Sequence, residues 1–232
     1  MNPIFVAIDT PDLGRASELC EAVRRYAGGI KLGLEFFSAQ GPDGVRRLAE
    51  FGLPIFLDLK LHDIPNTVGK AVEALAPLEP AILTVHAAGG HEMLLAAKRT
   101  APPSTKIVAV TLLTSLDKSD LVDLGIDRSP TEQVARFARV ARDAGVDGIV
   151  CSGAEVAGAH SAWPEGFFVV PGIRPSGADV GDQRRVVTPE QAFADGASVL
   201  VIGRPITGAA DPARAAMDIA ATLSQMPAQA RN

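Results

Sequence analysis

The sequence predicts an α/β chain folded as a single (β/α)8 barrel, the TIM-barrel architecture, and three observations lead there. Short β-rich apolar runs alternate with helix-like segments along most of the chain. The runs are continuously apolar, as parallel strands covered on both faces are. Their polar residues gather at one end, where a barrel of this type builds its active site. At 232 residues with 47% hydrophobic content, the chain can bury a large core and suits such a barrel as one domain. That domain is expected to span 1–232, with the Ala- and Gln-rich tail frayed after about residue 226.

Taken in order, the candidate strands are Ile4 to Ile8, Gly29 to Leu32, Ile55 to Leu59, Ala81 to Val85, Ile107 to Val110, Gly148 to Val150, Phe167 to Val170 and Val199 to Ile202. Eight such units favour a closed barrel over an open, doubly wound sheet. Helix-like segments between them run from Leu13 to Tyr26, Asp43 to Phe51, Thr67 to Leu75, His91 to Arg99, Thr131 to Ala144 and Pro189 to Asp195, and Ala213 to Leu223 follows the last strand. No Pro-, Gly- or Ser-rich linker divides the chain.

A net charge of −5, with acids and bases interspersed, argues against nucleic-acid and membrane surfaces and leaves room for a small anion pocket. The expected partner is therefore a small molecule. Cys20 and Cys151 have neither metal-site spacing nor the pattern of a disulfide framework, which fits a reducing cytoplasm. No signal-like or membrane-length apolar stretch is seen.

The strand ends carry the chemistry. Asp9 follows the first strand, Lys31 closes the second, Asp58 and Lys60 close the third, and His86, Thr114 and Arg204 follow the fourth, fifth and eighth. Residues two apart in a strand share a face, so Asp58 and Lys60 are expected to project together, with Leu57, Leu59 and Leu61 covering the other side. Two acids, Asp58 and Asp63, around one lysine are costly unless chemistry requires them. The plainer reading is a buried ion pair followed by Asp63 as N-cap of a helix beginning near Pro65. Gly172, Ile173, Arg174 and Gly203-Arg204 come just after strands seven and eight, where barrels often bind phosphate through backbone N–H groups and a guanidinium. Arg204 in a surface ion pair is the alternative. The polar stretch from Pro171 to Arg185 lacks helical periodicity and reads as either a closing lid or an ordered surface loop.

Asp58-x-Lys60-x-x-Asp63-Ile64-Pro65-Asn66-Thr67, preceded by Asp9 and Lys31 and followed by Pro171-Gly172-Ile173-Arg174, Asp182-Gln183 and Gly203-Arg204, resembles the orotidine 5'-phosphate decarboxylase family. One departure is Val170, where family members often carry a small hydroxyl residue. The resemblance implies decarboxylation of orotidine 5'-phosphate to uridine 5'-phosphate in pyrimidine synthesis, with no metal and no organic cofactor. It implies that Lys60 stabilises and then protonates the carbanion at C6. Asp58 would lie near the departing carboxylate, acting by repulsion or by organising the charge network. Lys31 would complete that network and, with Asp9, contact the ribose. Thr114 would bind the pyrimidine, Gln183 would bridge base and phosphate, and Arg174, Gly203 and Arg204 would serve the phosphate. Asp63 and Thr67 would reach into the neighbouring site of a homodimer.

Two other readings compete. A metal-dependent sugar-phosphate decarboxylase or epimerase of the same barrel group would bind a divalent ion through Asp9, Asp58, His62 and His86, but the Lys31 ammonium would repel it. A non-catalytic nucleotide-binding module would have little use for the charged trio. Among the remaining polar residues, His62 reads as a loop or supporting residue, His86 as support for the site floor, Cys151 as packing, and His91 and His160 as ordinary surface or helix positions.

Overall fold

The structure, a computed structural model, describes residues 2–175 and 187–226. Eight parallel strands close on themselves in chain order: β1 (Ile4–Ala7), β2 (Gly29–Gly33), β3 (Ile55–Leu61), β4 (Ile82–His86), β5 (Lys106–Val110), β6 (Gly148–Val150), β7 (Phe167–Val170) and β8 (Val199–Ile202). Closure is made by β8 pairing onto β1, with Phe5 opposite Val201. Helices return the chain between strands: α1 (Leu13–Val23), α2 (Leu34–Ala49), α3 (Pro65–Leu75), α4 (Gly90–Thr100), α5 (Lys118–Asp123), α6 (Pro130–Asp143), α7 (Val156–Ala162) and α8 (Pro189–Ala194). Two more, α9 (Arg204–Thr207) and α10 (Pro212–Ser224), follow β8.

Strand pleating divides the core into two layers. Ile4, Val6, Ile30, Leu32, Leu57, Leu83, Ile107, Phe168 and Leu200 face outward and form one buried cluster with the apolar faces of the helices. Phe5, Ala7, Phe56, Ile82, Val108, Val169, Val199 and Val201 point inward and fill the barrel axis. The rings of Phe5 and Phe56 meet edge to face at 6.5 Å, and Lys106 lies over the Phe167 ring at the opposite end from the strand C-termini. The barrel is thus plugged below and open above. Two glycines make that plug possible: a Cβ on Gly29 would come within 2.3 Å of the Phe5 ring, and one on Gly148 within 1.8 Å of the Phe167 carbonyl oxygen.

Local signals explain several boundaries. Ser129 and Glu132 form a capping box ahead of α6, with Pro130 at its first turn; Asp12 and Asp211 cap α1 and α10. The helix expected from Asp43 begins instead at Leu34. It breaks at Gly41, which takes φ 59°, and resumes through Pro42 and the residues after it; Gly-Pro reads as loop because no local signal shows that helix lies on both sides. Helices α5, α7 and α9 were not expected. Each is short, and α7 offers only Val156 as a buried anchor, too little for a helical periodicity.

Gly148→Ala is expected to lower stability by roughly 3 kcal/mol or more, because the new methyl meets backbone that cannot turn aside. Gly158→Ala on exposed α7, where an added Cβ meets nothing within 4 Å, is expected to raise stability by about 0.5 to 1 kcal/mol. Urea unfolding of the two variants beside the parent checks both signs.

Candidate active site

At the C-terminal ends of the strands lies a cavity of about 470 Å³. Phe56, Val150, Val169 and Val201 form its apolar floor, the upper surface of the axial core. Asp9, Lys31, Asp58 and Lys60 line one wall; Thr114, Arg174, Gly203 and Arg204 also line it. On β1 and β3 the inward series therefore changes from apolar Ala7 and Phe56 to charged Asp9 and Asp58 as it nears the rim.

Strand register builds the charged wall. Lys31 stands opposite Ala7 on β1 and Phe56 on β3, one inward layer below Asp9 and Asp58. Its long side chain rises between them, 3.2 Å from Asp9 Oδ1 and 3.5 Å from Asp58 Oδ2. The next inward position on β2 is Gly33, where a Cβ would lie 3.0 Å from the Lys31 ammonium. Glycine there leaves the ammonium its place. On the other side of Asp58, Lys60 Nζ donates to Oδ1 at 2.8 Å.

Asp58 and Lys60 do share a face, as expected, but not by simple alternation. Lys60 adopts the left-handed region at φ 51°, and pairing with β4 slips between Leu57 and Leu61. This irregularity turns the lysine toward the cavity and leaves Leu61 only half-buried. The Lys60 backbone N–H, displaced from regular pairing, donates instead to Thr84 Oγ1 at 2.8 Å. Thr84 is wholly buried and was not singled out from the sequence. Its only signal is a hydroxyl within the apolar run of β4, and a β-branched residue there reads first as packing.

Burial alone would raise the Asp58 pKa. The charges of Lys31 and Lys60, with hydrogen bonds from Lys60 and Thr84, outweigh it and hold the carboxyl below its ordinary value. Asp58 is consequently an anion at neutral pH. His86 stacks on His62 with centroids 5.3 Å apart; burial, then the nearby charges of His62 and Lys60, lower its pKa and keep it neutral. Burial drives the Cys151 thiol upward although the residue lines the cavity, which leaves no thiolate for nucleophilic attack. His91 pairs with Glu92, and His160 packs edgewise on Phe168.

The remaining candidates separate. Arg174 is buried and donates to the Ile173 carbonyl, while Arg204 is exposed at the start of α9, after Gly203. Asp63 and Thr67 are exposed and outside the cavity lining. Asp63 is not the N-cap of α3: Ile64 holds that position, and Asp63 accepts the Ile64 N–H at 2.7 Å. Gln183, its neighbour Asp182, most of the proposed lid and the tail after 226 lie outside the described residues. Among the described residues, no group of three or more His, Cys, Asp or Glu side chains is placed to hold a metal ion, and no helix is long and apolar enough to cross a membrane.

A closed (β/α)8 barrel with an ion network at its C-terminal rim defines a class of barrel enzymes that work on a ligand held above the strand ends. Residues 2–219 match the model of the orotidine 5'-phosphate decarboxylase / HUMPS family, and the chain belongs to that family. It is 62% identical to the orotidine 5'-phosphate decarboxylase of Sphingopyxis alaskensis over 222 residues, covering 96% of this chain and 99% of the relative. The corresponding protein of Erythrobacter litoralis is 58% identical over the same coverage. A crystal structure of orotidine 5'-phosphate decarboxylase from Lactobacillus acidophilus superimposes with a TM-score of 0.83 at 34% identity, covering 96% of this chain and 99% of that one.

The direction of the Asp58 shift has a measurable consequence. A carboxyl with a depressed folded pKa contributes stability that is complete above its unfolded value and is lost as pH falls through the folded one. The stability gap between the parent and Asp58→Asn is expected to be roughly 3 kcal/mol and flat from pH 7 to about pH 5, then to shrink below about pH 4. Denaturant midpoints across that range measure it.

Proposed function

We propose that this chain removes carbon dioxide from orotidine 5'-phosphate to give uridine 5'-phosphate, in the cytoplasm, as a single catalytic domain. Lys60 is the proton donor. The observation that carries the reading is the Asp58 carboxylate held between two ammonium groups, Lys31 and Lys60, directly above an apolar floor. Heterolysis of the bond between C6 and the carboxylate releases neutral carbon dioxide and leaves the electron pair on C6. The Lys60 ammonium, hydrogen-bonded to Asp58 at 2.8 Å, stabilises that pair and then transfers its proton to C6, and the resulting amine regains a proton from water.

Other cavity residues fit the rest of a nucleotide. Asp9 and Lys31 would contact the ribose and Thr114 the pyrimidine, with Arg174, Gly203 and Arg204 at the phosphate and Gln183 bridging base and phosphate. No metal or organic cofactor is invoked. The space between the Asp9 and Asp58 carboxylates already holds an ammonium, which disfavours a divalent ion at the same point. A homodimer is part of the reading: Asp63 and Thr67 would enter the partner's site, and Ile64, 66% exposed between them, is an apolar surface that a partner would cover.

Purified protein is expected to convert orotidine 5'-phosphate to uridine 5'-phosphate, followed by the loss of substrate absorbance, with equal rates before and after exhaustive chelation. Recovery of a chelated, inactive sample on adding magnesium would favour the metal-dependent reading instead. Lys60→Ala is expected to bind uridine 5'-phosphate and keep its fold while losing nearly all turnover. Substantial residual turnover would remove Lys60 from the donor role.

The shared site has its own test. Lys60→Ala and Asp63→Ala chains, each nearly inactive alone, are expected to complement when unfolded and refolded together, because a mixed dimer has one site carrying both defects and one carrying neither. Random pairing makes about half of the dimers mixed, so roughly a quarter of parent activity should return. Verified mixed dimers without activity would place Asp63 in its own chain's site or in no site.

A further inference from the structure

We infer that Thr84, on β4, is a positioning residue for the reaction: its buried hydroxyl ties the Lys60 backbone to the Asp58 carboxylate and so sets the geometry of the donor and its counter-ion together. Thr84 Oγ1 accepts the Lys60 N–H at 2.8 Å and donates its single proton to Asp58 Oδ1 at 3.1 Å. Its other acceptor, the Leu57 carbonyl, is at 3.5 Å and is the weaker choice. One hydroxyl thereby uses both its donor and its acceptor capacity on the two groups that flank the reacting position.

The irregularity in β3 is why such a residue is needed. Regular pairing between β3 and β4 aligns Leu57 with Leu83, yet Leu61 aligns with Val85, so β3 uses four residues where β4 uses two. The surplus backbone includes Lys60 in its left-handed conformation, a strained geometry for a side-chain-bearing residue that persists only where its surroundings hold it. Displaced from regular strand pairing, the Lys60 N–H donates its hydrogen bond to the Thr84 side chain on the neighbouring strand.

The second bond acts on charge. Asp58 Oδ1 receives both the Thr84 hydroxyl and the Lys60 ammonium, leaving Oδ2 to Lys31. Since Thr84 is 0% exposed, its bond to the carboxylate meets little competition from water. The ionisable groups around this point are Lys31 of β2, with Asp9 beyond it on β1, Lys60 of β3, and beyond Lys60 the stacked pair of His86 on β4 and His62 after β3. Of the groups that touch Asp58 from β4, the Thr84 hydroxyl is uncharged, so removing it changes hydrogen bonding without changing net charge.

This inference rests on the decarboxylase reading, and its test compares the parent, Thr84→Ser and the near-isosteric Thr84→Val on orotidine 5'-phosphate. Thr84→Val is expected to lose roughly 10- to 100-fold in kcat with KM within about threefold of the parent, while Thr84→Ser returns to within about threefold of parent kcat. The acid limb of the kcat profile is expected to move to higher pH in the valine variant, since the ionised Asp58 carboxylate has lost a hydrogen bond. Thermal midpoints and uridine 5'-phosphate binding establish that each variant is folded. If Thr84→Val does not fold, Thr84→Ala is read in its place with the same expectations. A folded variant lacking the hydroxyl that keeps parent kcat and acid limb overturns the inference, as does failure of both such variants to fold, which would make the hydroxyl a determinant of folding. An inactive parent would overturn the decarboxylase reading and this inference with it, whereas an active parent beside an unaltered valine variant overturns this inference alone.

Discussion

The pairing of Asp58 with two lysines is the interaction on which the site depends. A carboxylate with a side chain only 14% exposed is unfavourable by itself, and two ammonium groups at one site would repel; with the carboxylate between them, 3.5 Å from Lys31 and 2.8 Å from Lys60, attraction offsets both penalties. The outcome is an anion held ionised against its burial and a lysine presented to the cavity with a charged partner at its side. Removing Asp58 does more than delete a contact, because both Lys31 and Lys60 lose the carboxylate they share.

The barrel supplies what such a network needs. Its inward positions run from Phe5, Phe56 and Ile82, packed solid on the axis, to Asp9, Asp58 and Thr84 nearer the rim. An apolar floor excludes water from beneath the charges and strengthens their interactions. Small residues are as necessary as charged ones. Gly29 admits the Phe5 ring to the plug, and Gly33 leaves a place for the ammonium that Lys31 sends upward from the layer below.

The motif around Lys60 combines regular and irregular structure. Three apolar outward residues and the inward Phe56 mark β3 as strand. The left-handed Lys60 then departs from the period of two at the residue that reaches the cavity. Departures of this kind concentrate at functional sites because the surrounding structure must hold them. Here the holding group is a hydroxyl on the next strand.

Much of this molecule was determined by local pattern. Apolar runs and the helical segments between them define eight strands, and ionisable residues at their ends mark the rim; Asp9, Lys31, Asp58 and Lys60 were legible together because each directly follows or closes such a run. Period and burial are properties of contiguous residues, so one sequence can express them. Features that depend on a distant partner were not legible. Closure of β8 onto β1, the rise of Lys31 between Asp9 and Asp58, the left-handed turn at Lys60 and the bond from Thr84, 24 residues away, were all decided by interstrand register. A strand's own residues show which side chains alternate, but only the neighbouring strand, once docked, decides which of them meet.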